Sequence, residues 1–314
     1  MTYQDALNAY EDGNKTLALI HAKAAGTPRA DGLFGDADAQ VLAGHILRRG
    51  ETGLIDTEDA ARWFRAAADQ NHPDALVALG EMALRSQAGM HPGQALDWLT
   101  RAANAGREDA MRVLADMYRK GHGVEANVDK SAEWLNKASR SGDKQSARRM
   151  GDLYFNANAP LALSWYEKAA SDGDAEAAYI AAVMYAENFD IKPDSEKAAA
   201  LMRQAAIGGI AAAQADFGLL VYQGAGVERD VDAAARWFEK SAQNGDKEGQ
   251  FLYAFTLAKG EGVAQSYEDA YYWLLKSGNS GVDDYDKDRE ALKKRLEDNV
   301  DPATLERARR RADP

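Results

Sequence analysis

Apolar and small residues recur along this chain with a helical period, and tryptophan marks the register. Trp63, Trp98, Trp134, Trp165, Trp237 and Trp273 are spaced 35, 36, 31, 72 and 36 residues apart, and the long interval is two periods with apolar Leu201 at its midpoint. Three residues before the marker stands alanine (Ala60, Ala95, Ala162, Ala198, Ala234, Ala270), with Ser131 the exception. Four and five residues after it come small pairs such as Ala67-Ala68, Ala102-Ala103, Ala169-Ala170 and Ala205-Ala206. Offsets of −3, 0, +4 and +5 lie on one stripe of an α-helix, which predicts an amphipathic helix with a single buried face. Eight residues after the marker come Gly106, Gly142, Gly173, Gly209, Gly245 and Gly281, or Asn71 in the first unit. Glycine and asparagine readily take the left-handed conformation that ends a helix, so this position predicts a C-terminal cap.

A second helix is predicted ahead of each tryptophan helix. Its spine is Gly44, Gly80, Ala115, Gly151, Ala182, Gly218 and Ala254, never larger than alanine. Glycine inside a helix costs about 1 kcal/mol relative to alanine, so a close approach must compensate, and the expected neighbour is another backbone. Between the two helices run Gly121-His122-Gly123-Val124, Gly224-Ala225-Gly226-Val227 and Gly260-Glu261-Gly262-Val263. A phosphate-binding loop would need a preceding strand and a longer glycine pattern; here a helix precedes, and the element is read as a turn with a valine tucked beneath it.

A supersecondary unit recurring at about 36 residues is the signature of a solenoid. The expected fold is all-α: a right-handed α/α superhelix of about seven helix pairs closed by capping helices. The succession A-x-x-x-L-G-x-x-Y, then G-x-G-V, then A-x-x-W-x-x-x-A-A-x-x-G resembles the Sel-1-like repeat family, a branch of the tetratricopeptide-like solenoids. The resemblance covers roughly residues 36–283. It implies a non-catalytic scaffold or adaptor for protein–protein interaction, in signalling or complex assembly. Departures fall at Phe155-Asn156-Ala157-Asn158-Ala159-Pro160, at Gln87-Ala88-Gly89-Met90-His91-Pro92-Gly93 and at Asn188-Phe189-Asp190-Ile191-Lys192-Pro193. Residues 1–35 read as an N-terminal capping pair and 284–314 as capping helices, the whole forming one continuous domain.

Charge and composition narrow the function. A formal charge of −12 argues against general affinity for nucleic acid or anionic lipid. With no cysteine, thiolate metal sites, disulfides and cysteine nucleophiles are excluded. The first residues lack a basic region followed by an apolar one, so a cytoplasmic location is expected, or a periplasmic or secreted one if a leader has been removed. His21, His45, His72, His91 and His122 never pair at metal-ligand spacing on one helix. Asp74, Asp109, Glu176 and Glu248 cluster at helix starts, where they favour the helix dipole. No catalytic residue, metal or cofactor is expected, and an enzyme is the least favoured reading.

The remaining candidate surface is the side lined by the first helix of each pair, concave by the resemblance. Its outward positions present His45, Arg48, Arg49, Arg85, Arg112, Arg119, Lys120 and Arg148 in the N-terminal part, then Phe155, Tyr179 and Tyr222, with Leu219, Phe251 and Phe255 nearby. Arginine suits bidentate carboxylate contacts and tyrosine suits interface anchors. The pattern predicts a groove for a protein or peptide partner with an acidic and an apolar segment. Two plainer readings stand beside it: the arginines pair with acidic residues of the wall itself, and Phe251 and Phe255 are covered by the last helices. The chain is expected as a monomer, the alternative being a self-associating structural protein that uses its apolar C-terminal wall as a homodimer surface.

Overall fold

The computed structural model describes residues 1–28, 34–187, 189, 191–278 and 285–312, and among them eighteen α-helices and no strand. A leading pair, α1 (Tyr3–Glu11) and α2 (Lys15–Gly26), is followed by seven more. These are α3 (Ala37–Arg49) with α4 (Thr57–Asp69), α5 (Pro73–Leu84) with α6 (Ala95–Asn104), α7 (Glu108–Lys120) with α8 (Val128–Arg140), and α9 (Lys144–Tyr154) with α10 (Ala159–Ser171). Then come α11 (Ala175–Ala186) with α12 (Ser195–Ile207), α13 (Ala211–Gln223) with α14 (Val231–Gln243), and α15 (Lys247–Lys259) with α16 (Tyr267–Ser277). Two terminal helices, α17 (Asp286–Asn299) and α18 (Pro302–Ala312), close the chain. Packing divides it into two compact units, residues 1–146 and 147–314. Within each, the two helices of a pair lie against one another, and second helices pack on the first helix of the next pair, as α4 does on α5 and α14 on α15.

Local chemistry sets the helix ends. The second helices start at Asp56, Asn127, Asn158, Asp194, Asp230 and Ser266, each accepting a hydrogen bond from the backbone N–H three residues on. Such a cap satisfies one of the donors that a helix start leaves open. At the other end Asn71, Gly106, Gly142, Gly173, Gly209 and Gly245 all have positive φ, as the spacing predicts. Gly281 lies outside the described residues, as do Asn188 and Asp190.

The tryptophans, although they lie on the stripe predicted to be buried, are not interior knobs. All six are only partly buried. The buried residue is the next one along: Phe64, Leu99, Leu135, Tyr166, Met202, Phe238 and Leu274 are at most 5% exposed. These side chains explain the small spine, and they correct the expectation of a backbone neighbour. A Cβ added to Gly44, Gly151 or Gly218 would stand 2.6 Å from the ring of Phe64, Tyr166 or Phe238, and one added to Gly80 would stand 2.5 Å from Leu99 Cγ. Wherever the knob is aromatic the spine is glycine; alanine appears at Ala115, Ala182 and Ala254, opposite Leu135, Met202 and Leu274. The tryptophans instead close the flank of the core, edge-on to Phe217 (Trp237, 5.5 Å) and to Tyr253 (Trp273, 5.9 Å).

Adjacent pairs are also joined by polar contacts. The buried amides of Gln40, Gln214 and Gln250 donate to the carbonyls of Gly26, Ala206 and Ala242 on the preceding helix, at 2.7, 3.1 and 3.3 Å. In the G-x-G-V turns, a Cβ on Gly226 or Gly262 would overlap the carbonyl of Ser195 or Val231 at the start of the previous second helix. That close approach, together with positive φ, requires glycine there.

Two stability outcomes follow. Gly218→Ala should cost about 1–3 kcal/mol by overpacking, and pairing it with Phe238→Leu should recover part of that loss in a double-mutant cycle read by urea denaturation; strict additivity would refute the proposed ring–spine contact. Gly226→Ala should destabilise more than Gly245→Ala, because both have positive φ but only the first meets a carbonyl. Equal losses would show that φ alone sets the requirement.

Candidate functional site

In residues 1–146, the basic side chains of the first helices are largely engaged with carboxylates of the same unit. Arg48 pairs with Glu81 at 3.1 Å, Arg49 with Glu51 at 3.4 Å and Arg119 with Asp116 at 3.5 Å. Arg112 binds Asp143, which is 7% exposed and also accepts from Ser146. Arg85 and Lys120 are exposed and form no ion pair among the described residues. In the second unit Arg148 pairs with Asp174 at 3.1 Å and with Glu176. Several partners lie about one repeat further along, so these pairs tie consecutive first helices together. An exposed pair of this kind contributes under about 1 kcal/mol.

His45 is a packing residue. Its ring stands edge-on to Phe64 with centroids 5.1 Å apart, and its buried Nδ1 has no hydrogen-bond partner. Burial first, then the nearby Arg48 and Arg49, lower its pKa to about 4, so it is neutral near pH 7. His72 bonds Asp38 at 3.0 Å, and His91 caps the turn at Gly93. No group of three or more His, Cys, Asp or Glu arranged to hold a metal occurs among the described residues.

In residues 147–314, the aromatic candidates separate. Phe155 packs between Tyr166 and Phe189, with centroids 6.4 and 5.6 Å away. Tyr179 stands beside Asp216; burial and that carboxylate raise its phenol pKa well above the ordinary value, and burial raises that of Asp216. Asp216 was not singled out by pattern because it lies off the predicted outward positions. Tyr222 lines a cavity. This is a pocket of about 490 Å³ bounded by Leu219, Tyr222 and Gln223 of α13, Phe251, Leu252, Phe255 and Thr256 of α15, and Tyr285, Asp288, Ala291, Leu292 and Arg295 at α17. Volumes of this order are typical of ligand sites.

The two phenylalanines divide the walls of that pocket. Phe251 is 4% exposed and covered by Tyr285 (5.4 Å between centroids) and the Arg289 guanidinium (5.4 Å above its ring). Phe255 remains half-buried under Lys259, whose Nζ is 4.2 Å from the ring centroid. The Tyr222 hydroxyl donates to Glu261 at 2.6 Å; that bond, followed by burial, raises the tyrosine pKa, and it lowers that of the glutamate. The basic run at the end of the chain is spent on α16. Arg307 pairs with Glu268 at 2.7 Å, Arg311 with Asp269 at 2.9 Å, and Arg309 bonds the Tyr271 hydroxyl at 3.1 Å.

The His45 environment has a pH signature. A folded pKa near 4 against an ordinary 6.5 means that the unfolded chain takes up a proton that the folded chain refuses. Native protein should therefore lose stability relative to His45→Gln as pH falls from 6.5 towards 4, with a constant difference above 6.5. Chemical denaturation of both proteins across pH 4–8 measures this, and a flat difference throughout would refute it.

Comparison with known proteins agrees with the geometry. The Sel1 repeat model matches residues 37–72, 73–106, 108–143, 145–174, 175–210, 211–246 and 247–282. An uncharacterized protein of Neisseria meningitidis serogroup B is 33% identical over 113 residues, which is 36% of this chain and 22% of that protein, so the chain spans under a quarter of that relative's length. Among solved structures, a Sel1 repeat protein from Oxalobacter formigenes superposes with a TM-score of 0.65 at 23% identity, covering 93% of this chain and 89% of that one. A protective antigen of uropathogenic Escherichia coli with the same repeat fold gives 0.48 at 22% identity over 97% of this chain and 73% of that one. Sel1 repeat proteins generally mediate protein–protein interaction and are generally non-catalytic. With seven matched repeats over most of its length, this chain belongs to the Sel1 repeat family.

Proposed function

We propose that this chain is a non-catalytic interaction scaffold that captures an apolar segment of a partner protein in the pocket between α13, α15 and α17. The observation that carries this reading is the pocket itself. It gathers Leu219, Tyr222, Phe255 and Leu292 around about 490 Å³ on the first-helix side of the last two repeats. A partly exposed tyrosine beside apolar walls is the composition of an interface anchor. In the other unit the reading extends to Arg85 and Lys120, exposed cations that would meet acidic side chains of a partner. Arg112, Arg119, Arg48, Arg49 and Arg148 contribute mainly to holding the wall, because each already has a carboxylate.

The test is quantitative affinity enrichment from the native host with the whole chain as bait, in three forms. Tyr222→Ala should reduce recovery of the specific partner by about 30-fold, the effect of losing roughly 2 kcal/mol at a hot spot. Arg85→Glu with Lys120→Glu should reduce it more modestly and make the residual binding less sensitive to salt. Reversing Arg112 would be a poor probe, since it would set a second carboxylate against buried Asp143. Light scattering of the native chain completes the test: a dimer dissociated by Tyr222→Ala would assign the pocket to self-association instead, and unchanged recovery with all variants would overturn the scaffold reading of these surfaces.

A further inference from the structure

The polar rim of the pocket is unequal on its two sides. On the α13 and α15 side the polar groups are largely engaged: the Tyr222 hydroxyl is held by Glu261, Thr256 Oγ1 donates to the Tyr253 carbonyl at 2.8 Å, and Lys259 pairs with Glu261 at 3.5 Å. On the α17 side, Asp288 and Arg295 are exposed, and neither side chain makes a hydrogen bond or ion pair among the described residues. Elsewhere in that terminal region Arg289 pairs with Asp286 and Arg309 with Glu297; what sets Asp288 and Arg295 apart from the other charges of α17 is that they line the pocket. Asp288 and Arg295 are seven residues apart on one helix, which puts them on the same face about 10 Å apart along the axis. One wall of an apolar pocket therefore carries an unengaged negative charge near one end and an unengaged positive charge near the other.

We infer that the occupant is an amphipathic helix of a partner protein running antiparallel to α17. It carries an acidic residue near its start that meets Arg295, apolar residues three and four positions on that enter the pocket, and a basic residue seven positions on that meets Asp288. The direction follows from electrostatics. In the antiparallel orientation the partner's acidic residue lies towards its own N-terminus and its basic residue towards its C-terminus, as each helix dipole favours. The parallel orientation would reverse both placements, and would also align the dipoles of two neighbouring helices. Residues at i, i+3, i+4 and i+7 share one helix face, so a single segment satisfies both charges and fills the apolar floor between them. This assignment rests on the reading of the pocket as a docking site and adds to it the sign and direction of what docks.

Three cross-linked helical peptides of about 14 residues, a length at which an unconstrained helix is marginal, test it by calorimetry against the whole chain. The first has Glu at i, Leu at i+3 and i+4, and Lys at i+7; the second exchanges Glu and Lys; the third has Gln at both charged positions. The first should bind at least about tenfold more tightly than the second, with the third between them. The protein carrying Asp288→Lys with Arg295→Glu should invert that order, and both positions are exposed, so the fold is retained. Equal binding of all three would overturn the inference about polarity while leaving an apolar docking site in place. An unchanged order in the doubly substituted protein would overturn the assignment to Asp288 and Arg295. Failure of all three peptides to bind would overturn both the inference and the docking reading beneath it.

Discussion

The contact between a large apolar knob and a glycine or alanine opposite it determines how close the two helices of a pair can come. Phe64 on Gly44, Leu99 on Gly80, Tyr166 on Gly151 and Phe238 on Gly218 leave no room even for a methyl group. A helix that accepts glycine gives up about 1 kcal/mol of intrinsic propensity. It is compensated by burial of a ring or branched chain, worth roughly 1.5–3 kcal/mol. Because a knob on a small spine residue recurs in each of the seven pairs, stability is spread along the array, and no single repeat has to carry a large core. Every aromatic knob faces glycine, whereas the alanines stand opposite leucine or methionine, with Leu99 on Gly80 the one leucine that also requires glycine.

That packing also determines which surface is available for partners. The buried stripe of each first helix is used by the knob and by amides such as Gln40, Gln214 and Gln250, which reach back to the preceding pair. The opposite stripe contributes little to the core and is free to vary between repeats. In residues 1–146 the variation has gone into ion pairs that run from one repeat to the next, such as Arg48 to Glu81 and Arg112 to Asp143. In residues 147–314 it has gone into tyrosines set beside partly buried carboxylates, Tyr179 beside Asp216 and Tyr222 bonded to Glu261. The same scaffold position therefore serves cohesion in one place and an open apolar surface in another.

Much of this was legible in the chain, and the rest was hidden for physical reasons. Repeat number, helix order and the caps at Asn71, Gly106 and Gly245 could be read because rare or conformationally special residues hold fixed places. The core knob was missed because it changes identity at every step, from Phe64 to Leu99 to Tyr166 to Met202, so no single residue type marks it. Tryptophan was noticed because it is constant, but it sits at the flank of the core rather than inside it. The arginine strip and its pairing with acidic residues of the wall were both legible; Glu81 and Asp143 lie 33 and 31 residues beyond Arg48 and Arg112, close to one period away, although Asp143 stands ahead of its helix rather than on the outward stripe. The covering of Phe251 by the terminal helices was anticipated, but not the cavity left beside Phe255.

That cavity arises where the repeat rule stops. Inside the array, each second helix packs closely on the first helix of the following pair, as α14 does on α15. After α16 the close neighbour is α18, clipped on by Arg307, Arg309 and Arg311, whereas α17 touches α16 only lightly. The sequence of α17 explains this. It lacks the small spine and aromatic markers of a repeat helix and carries charge at most positions, with only Leu292, Leu296 and the stem of Arg289 buried. Such a helix cannot fill the groove that another repeat would have filled. It covers Phe251 with Tyr285 and Arg289, stands off from Phe255 and Leu219, and leaves an apolar space walled by a charged helix. A polar helix laid against the last repeat is what caps such an array. The consequence is that the last apolar surface of the array is only half covered, at the place where a partner can reach it.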